Sequence, residues 1–224
     1  MLLAIDTSTK SVGLALYDGT RVVGETLWRS EGYHTVELAP ALRDLLNLCH
    51  TEPEKLKVLG VALGPGSFTG LRIGLALAKG MAQALNLPII GIPTLDFLAY
   101  AQPPLPLPMA AVLQAGRKRL AVQWYSVKED SWEPGGEISV LTADELSAKI
   151  KQPTLICGEL DRDERQILAR KYKNAILATP AQSVRQPGFL AELAWKRWQN
   201  KQFDDIASLS PIYLHYGEEI EEPE

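Results

Sequence analysis

Gly64-Pro65-Gly66-Ser67-Phe68-Thr69-Gly70-Leu71-Arg72-Ile73-Gly74 joins a short apolar run, Val58 to Leu63, to a long segment of small and aliphatic residues. Glycines at Gly64, Gly66 and Gly70 free the backbone for a tight strand-to-helix turn. Ser67 and Thr69 each offer a hydroxyl to cap the helix that follows. A turn of this kind presents backbone N–H groups at a helix N-terminus, which suits an anion. It is not a P-loop, because the Gly-Lys-Ser/Thr ending is missing and the nearest cation is Arg72.

The helix after the turn carries two rows of small residues at a spacing of four: Gly70, Gly74, Ala78 and Ala82, and then Ala76, Gly80 and Ala84. Glycine inside a helix costs roughly 1 kcal/mol against alanine, so Gly74 and Gly80 call for a compensating close approach by another backbone. Only Arg72, Lys79 and Gln83 are strongly polar, and a helix apolar on most sides is buried on most sides. Two readings follow. The helix is sandwiched inside its own domain, or it is buried partly by its own sheet and partly by a second protein chain.

Working outward, Leu2 to Asp6 reads as a buried strand, and Val12 to Tyr17 alternates into Asp18-Gly19, a two-residue hairpin signal, with Val22 to Trp28 returning. A helix follows from His34 to His50, with Pro40 in its early turns. Pro88 to Ile92 is a further strand, and Thr94 is placed to cap the next helix. Repeated prolines from Pro103 to Pro108 end the first group of elements. Beyond them, Met109 to Gln114 and Arg119 to Tyr125 read as a strand pair, Pro134-Gly135-Gly136 as a turn, and Thr142 with Glu145 as a capping box. Thr154 to Cys157 is a strand, and Asp161 to Tyr172 and Gly188 to Gln199 are helices. The economical organisation is two α/β lobes: residues 1–104, a smaller lobe at 105–216 whose last helix can pack back on the first, and an acidic disordered tail at 217–224.

Composition narrows the function. The chain has 224 residues, 46% of them hydrophobic, and a net charge of −4. The last eight residues hold five glutamates and no cation, which leaves the remainder at +1. A domain that grips nucleic acid alone carries a clear basic excess, and this one does not. The N-terminus meets Asp6 within one strand length and has no basic start, so no signal peptide is expected there. Cys49 and Cys157 have no metal-type spacing and are expected to stay reduced in the cytoplasm.

The strand ending in Asp6-Thr7-Ser8-Thr9, followed by a hairpin, resembles the opening of the actin, sugar-kinase and Hsp70 ATPase superfold, a ribonuclease H-like architecture. Within it, the turn from Gly64 to Gly74 followed by Ala78-Lys79-Gly80, with Pro93-Thr94-Leu95 and Pro211-Ile212-Tyr213-Leu214, resembles the bacterial TsaB (YeaZ) family. The resemblance implies a non-catalytic dimerisation subunit. Its partner would be TsaD, which transfers a threonylcarbamoyl group to adenosine 37 of tRNAs reading codons that begin with A, and the ATPase TsaE would join the assembly. Without TsaD the apolar surface of the small-residue helix would be costly to leave wet, so homodimers are expected. No window approaches an uninterrupted apolar span, so no membrane association is expected. The resemblance itself implies tRNA contact only through the complex. It also implies a docking surface on the small-residue helix and the helix from His34, carried by Gly70, Leu71, Gly74, Leu77, Ala78, Met81, Leu38 and Leu42.

A self-sufficient ATPase or kinase is the alternative. Asp6, Thr7 and Ser8 stand where this superfold orients a metal and phosphates, yet Asp6 as a simple turn cap accounts for them equally well. In the second lobe the acid is missing from Gln114-Ala115-Gly116-Arg117, and Gly158 alone is left as a candidate phosphate contact. The expectation is a weak ATP or ADP contact at Asp6, Thr7, Ser8 and Gly158, with no required cofactor and no catalytic residue. The peptidase label on the wider family needs a metal-binding His-x-x-x-His pair. Here His34 is followed four residues later by Leu38, and His50 and His215 have no partners at metal spacing, so no metal site is expected. His34 itself reads as a helix cap or a surface group. Arg117-Lys118-Arg119 reads as solvated charge on a hairpin tip.

Overall fold

The computed structural model describes residues 1–170 and 174–214; His215, Tyr172 and the tail at 217–224 lie outside the described residues. Strands β1 (Leu2–Asp6), β2 (Ser11–Tyr17) and β3 (Val22–Arg29) form an antiparallel unit. Strand β1 also pairs in parallel with β4 (Val58–Ala62), which pairs in parallel with β5 (Ile89–Ile92). The first sheet therefore runs β3-β2-β1-β4-β5. Every residue of β1, β4 and β5 is buried, as expected of strands covered on both faces.

One face of this sheet is covered by helices α1 (His34–Leu48) and α2 (Phe68–Leu85), whose Leu38, Leu42, Leu45, Leu75 and Ala78 pack on Leu3, Ile5 and Leu14. Helix α3 (Thr94–Tyr100) leaves the first sheet and buries Leu95, Leu98 and Ala99 against the second.

The second sheet repeats the first. Strands β6 (Met109–Gln114), β7 (Leu120–Lys128) and β8 (Ser131–Leu141) are antiparallel neighbours. Helix α4 (Ala143–Lys149) leads to β9 (Thr154–Gly158), parallel to β6, and helix α5 (Arg162–Ala169) leads to β10 (Ala175–Leu177). The order β10-β9-β6-β7-β8 matches the first sheet strand for strand. Helix α6 (Pro187–Gln199) then crosses back, and its Leu190, Ala191 and Ala194 bury against Leu2, Ala4 and Ala15 on the open face of the first sheet.

Several local expectations are corrected. The β2–β3 loop spans Asp18 to Arg21, because the Asp18 carboxylate accepts from the N–H groups of Thr20 (2.9 Å) and Arg21 (3.0 Å). Pro134-Gly135-Gly136 lies inside β8, with Pro134 opposite Tyr125 and Gly135 opposite Trp124. Thr94 is the first residue of α3 and not its cap. Helix α5 ends at Ala169. The capping box of Thr142 and Glu145 is present, and Asp161 with Glu164 forms a second one. Among the described residues no helix is long and apolar enough to cross a membrane.

Candidate functional site: an arginine in the cleft and an open helix face

The two sheets face each other across the turn that follows β1. Asp6, at the end of that strand, is fully buried, and its Oδ1 accepts from Ser8 N–H at 2.9 Å. Its Oδ2 accepts from Arg185 Nε at 2.9 Å. The same guanidinium donates from Nη1 to Glu159 Oε1, and from Nη2 to Thr9 Oγ1 and the Ser11 carbonyl, both at 2.9 Å. Thr9 Oγ1 in turn donates to Glu159 Oε1 at 2.7 Å. The Arg185 side chain is 1% exposed. Burial alone would lower its pKa, but Asp6 and Glu159 outweigh that and hold it above its ordinary value.

The neighbouring hydroxyls are equally committed. Thr7 Oγ1 donates to the Gly70 carbonyl at 2.8 Å, and Ser8 Oγ lies 2.7 Å from Thr94 Oγ1, which also accepts from Gly64 N–H at 3.0 Å. Asp6, Thr7 and Ser8 are at most 1% exposed. The expectation that these three contact a nucleotide is therefore corrected, since their polar atoms are bonded within the chain and closed to solvent. A divalent cation at Asp6 would need the oxygens that the guanidinium already holds. The residues present do not fit a metal–phosphate group at that point.

Gly158 is itself buried at the end of β9 but belongs to the cleft wall. It adopts φ +124°, with the Val112 carbonyl lying where a Cβ would project. With Lys10, Arg29, Phe68, Arg165 and Tyr213 it lines a cleft of about 1200 Å³ between the sheets. At the mouth, the Arg72 guanidinium lies 3.8 Å from the centre of the Phe68 ring and its Nε donates to Tyr213 Oη at 2.9 Å. The turn from Gly64 to Thr69 is clamped by its own chain. Ser67 N–H donates to the Ser8 carbonyl at 2.6 Å, Gly70 N–H to Ser67 Oγ at 3.3 Å, and Ile212 N–H to the Leu63 carbonyl at 2.7 Å. Two of the N–H groups that would cradle an anion are thus already satisfied, and of the two candidate caps Ser67 serves while Thr69 does not.

The glycine rows separate cleanly. Gly70, Gly74, Ala78 and Ala82 are buried, and a Cβ at Gly70 or Gly74 would collide with Thr7. The backbone approach expected at Gly74 and Gly80 is corrected. At Gly74 the close neighbour is the Thr7 side chain, and at Gly80 no described residue beyond its own helix comes close. The backbone that does approach, the Thr7 carbonyl, lies against Gly70. Gly70, Leu71, Gly74, Ala78, Leu38 and Leu42 are therefore corrected as partner contacts, because the sheet and its β1–β2 turn already cover them. Ala76, Gly80 and Ala84 face solvent, flanked by half-buried Ile73, Leu77 and Met81. On α1, Val36 is 66% and Leu48 79% exposed. Of the expected contacts, Leu77 and Met81 reach the surface.

The family model for TsaD, a tRNA N6-adenosine threonylcarbamoyltransferase, matches residues 29–154. The Bacillus subtilis (strain 168) tRNA threonylcarbamoyladenosine biosynthesis protein TsaB is 31% identical over 221 residues, covering 97% of this chain and 95% of its own. The chain belongs to the TsaB family. The Escherichia coli (strain K12) TsaB is 40% identical over 223 residues, covering 97% of this chain and 79% of its own. Among solved structures, YeaZ from Pseudomonas aeruginosa has a TM-score of 0.76 at 22% identity over 95% of this chain and 99% of its own. The ROK hexokinase of Thermus thermophilus has a TM-score of 0.50 at 10% identity over 88% and 99%. These two show the fold: two α/β lobes of the actin and sugar-kinase ATPase type.

For a TsaB-family chain, what sequence reasoning missed is informative. Arg185 lies 179 residues from its Asp6 partner. The only signal was a carboxylate at the end of a wholly apolar strand, which demands a buried cation without saying which one. Gln114 donates to Glu164 Oε2 at 2.6 Å and braces the turn after β9. His34 is buried, and its Nε2–H donates to the Thr9 carbonyl at 3.1 Å, so it ties α1 to the β1–β2 turn and is neither cap nor surface group.

Proposed function

We propose that this chain is the non-catalytic scaffold subunit of a tRNA threonylcarbamoyladenosine-forming assembly. It binds and stabilises a TsaD-type catalytic subunit that modifies adenosine 37 of tRNAs reading codons that begin with A. The observation that carries the reading is Arg185 in the cleft: the acid that an ATPase of this fold would use is sealed under a guanidinium of the same chain. Family membership supplies the pathway, since the Bacillus subtilis and Escherichia coli relatives are named for threonylcarbamoyladenosine biosynthesis.

The docking surface is the solvent side of α2, centred on Ala76, Leu77, Gly80, Met81 and Ala84. Small residues let a partner helix approach closely, and the half-buried Leu77 and Met81 supply apolar area. In the absence of TsaD the same surface supports a homodimer. A TsaE-type ATPase joins through the complex, and tRNA is met only there. The setting is the cytoplasm, and no cofactor is required of this subunit.

Gly80→Trp tests the surface. Among the described residues, nothing beyond its own helix lies within 4 Å of the point where a Cβ at Gly80 would project, so the monomer should fold normally. Size-exclusion chromatography with purified TsaD is expected to show the native heterodimer and its loss in the variant. A Gly80→Trp chain that still binds TsaD with native affinity removes α2 from the interface.

A further inference from the structure

We propose that Arg185 is the resident cation of the cleft, a side chain that permanently holds, between the two lobes, an oxygen-lined position that would otherwise suit a divalent cation. This goes beyond the scaffold reading and holds whether or not a partner docks on α2.

The argument begins with the ligand set. Asp6 Oδ2, Glu159 Oε1, Thr9 Oγ1 and the Ser11 carbonyl all accept from one guanidinium. Four hard oxygens, two of them carboxylate, are the kind of set that binds magnesium or calcium. Here they come from both lobes, with Asp6, Thr9 and Ser11 on the first sheet and its turn, and Glu159 on the turn after β9. A planar fork of N–H donors can bond all four at once, which a lysine ammonium cannot do in the same geometry. Metal and guanidinium exclude each other, because a cation bonding these oxygens would occupy the space and meet the charge of Arg185.

The burial pattern fits this role. Asp6 is sealed and takes Nε, whereas Glu159 retains 24% side-chain exposure toward the cleft. A buried carboxylate left unpaired is strongly unfavourable, so Asp6 must keep a cation of some kind. The chain supplies its own. The consequence is a two-lobed protein whose lobes are tied without any bound ion.

Thermal unfolding of the full-length chain tests the proposal. The native protein is expected to melt at the same temperature in EDTA and in millimolar magnesium or calcium chloride. A drop in EDTA that magnesium restores would overturn the proposal. In Arg185→Ala the four oxygens lose their cation and a divalent ion can take its place. At a concentration about a hundredfold above its Kd, the ion should raise the melting temperature by roughly 5–10 °C. Arg185→Ala with Asp6→Asn should not respond. Equal responses from native and Arg185→Ala proteins, or none from either, would overturn the assignment. If Arg185→Ala is recovered folded only in the presence of the divalent ion, that outcome meets the expectation. If it is insoluble under both conditions, Arg185→Lys decides: a three-donor ammonium cannot bond all four oxygens that the fork holds, so its melting temperature should fall and stay indifferent to metal. An Arg185→Lys protein as stable as the native one would refute the role of the fork.

Discussion

Alanine at Gly74 and alanine at Gly80 should push stability in opposite directions, although both replace a glycine in the same helix six residues apart. In a helix interior the change from glycine to alanine is worth about 1 kcal/mol in favour of folding. At Gly80 no described residue beyond its own helix stands within 4 Å of the new methyl group, so that gain is retained in full. At Gly74 the methyl collides with Thr7 Oγ1 and meets Thr7 Cβ and Cγ2 at 3.2 Å. The turn cannot simply yield, because Thr7 Oγ1 is bonded to the Gly70 carbonyl and the adjoining Asp6 is held by Arg185. Overpacking of this kind costs about 1–3 kcal/mol, and losing the Thr7 bond adds about 1 kcal/mol. Net of propensity, Gly74→Ala should lose about 1–3 kcal/mol while Gly80→Ala gains about 1 kcal/mol. In a chain of this length that separates the melting temperatures by roughly 4–16 °C. Urea unfolding at fixed, dilute concentration, followed by tryptophan fluorescence, would measure both. If Gly74→Ala stabilises the monomer as much as Gly80→Ala does, the first row is not packed on the turn and the division of α2 into inner and outer faces fails.

Three further outcomes can be checked. Burial pushes the Cys157 thiol up to about 12, so a thiol reagent at pH 8 should leave it unlabelled in the folded chain and reach it only after denaturation; rapid labelling of both cysteines would contradict its burial in β9. Burial, with Glu133 adding to it, raises the Asp96 carboxyl above its ordinary range despite the bond from Tyr125 Oη at 2.7 Å. Its contribution to stability is therefore complete below the unfolded carboxylate pKa and is lost as pH rises through the folded value. Asp96→Asn should lessen that loss, so its urea midpoint should gain on the native one between pH 4 and pH 8, and a constant difference across that range would refute the sign. Finally, Ala76→Trp should weaken TsaD binding without lowering the melting temperature, because Ala76 faces solvent; a destabilised monomer would place it in the core.

Much of this architecture can be read from residue pattern. Strand β1 announces itself as an unbroken apolar run ending in Asp6, and α2 by its turn and its small residues. The loose repetition of strands and helices corresponds to two sheets of the same order. Less legible was anything decided by partners remote in the chain. Glycine spacing pointed to a close neighbour along α2, but not that Thr7 of the same molecule would fill that place at Gly70 and Gly74 while Gly80 stayed open. A stripe at Gly70, Gly74 and Ala78 and one at Ala76, Gly80 and Ala84 look alike as spacing, and only the position of the β1–β2 turn makes one inward and the other outward. Asp6-Thr7-Ser8 likewise has the composition of a phosphate contact, and what disqualifies it is an arginine 179 residues away. Pro134-Gly135-Gly136 misled because these residues mark turns in isolation. In β8 they are carried through the strand by pairing with β7, where the register shifts between Val122 and Trp124.

Helices α3 and α6 change sides, the one leaving the first sheet for the second and the other returning from beyond the second sheet to cover the first. During synthesis, a ribosome that has released residues 1–104 has delivered all five strands of the first sheet but not the helix that shields Leu2, Ala4, Ala15 and Ile90. That half cannot settle until Gln199 has cleared the exit tunnel. Nascent chains stalled before that point should remain open to protease, and the separated halves should regain the native fold only when mixed.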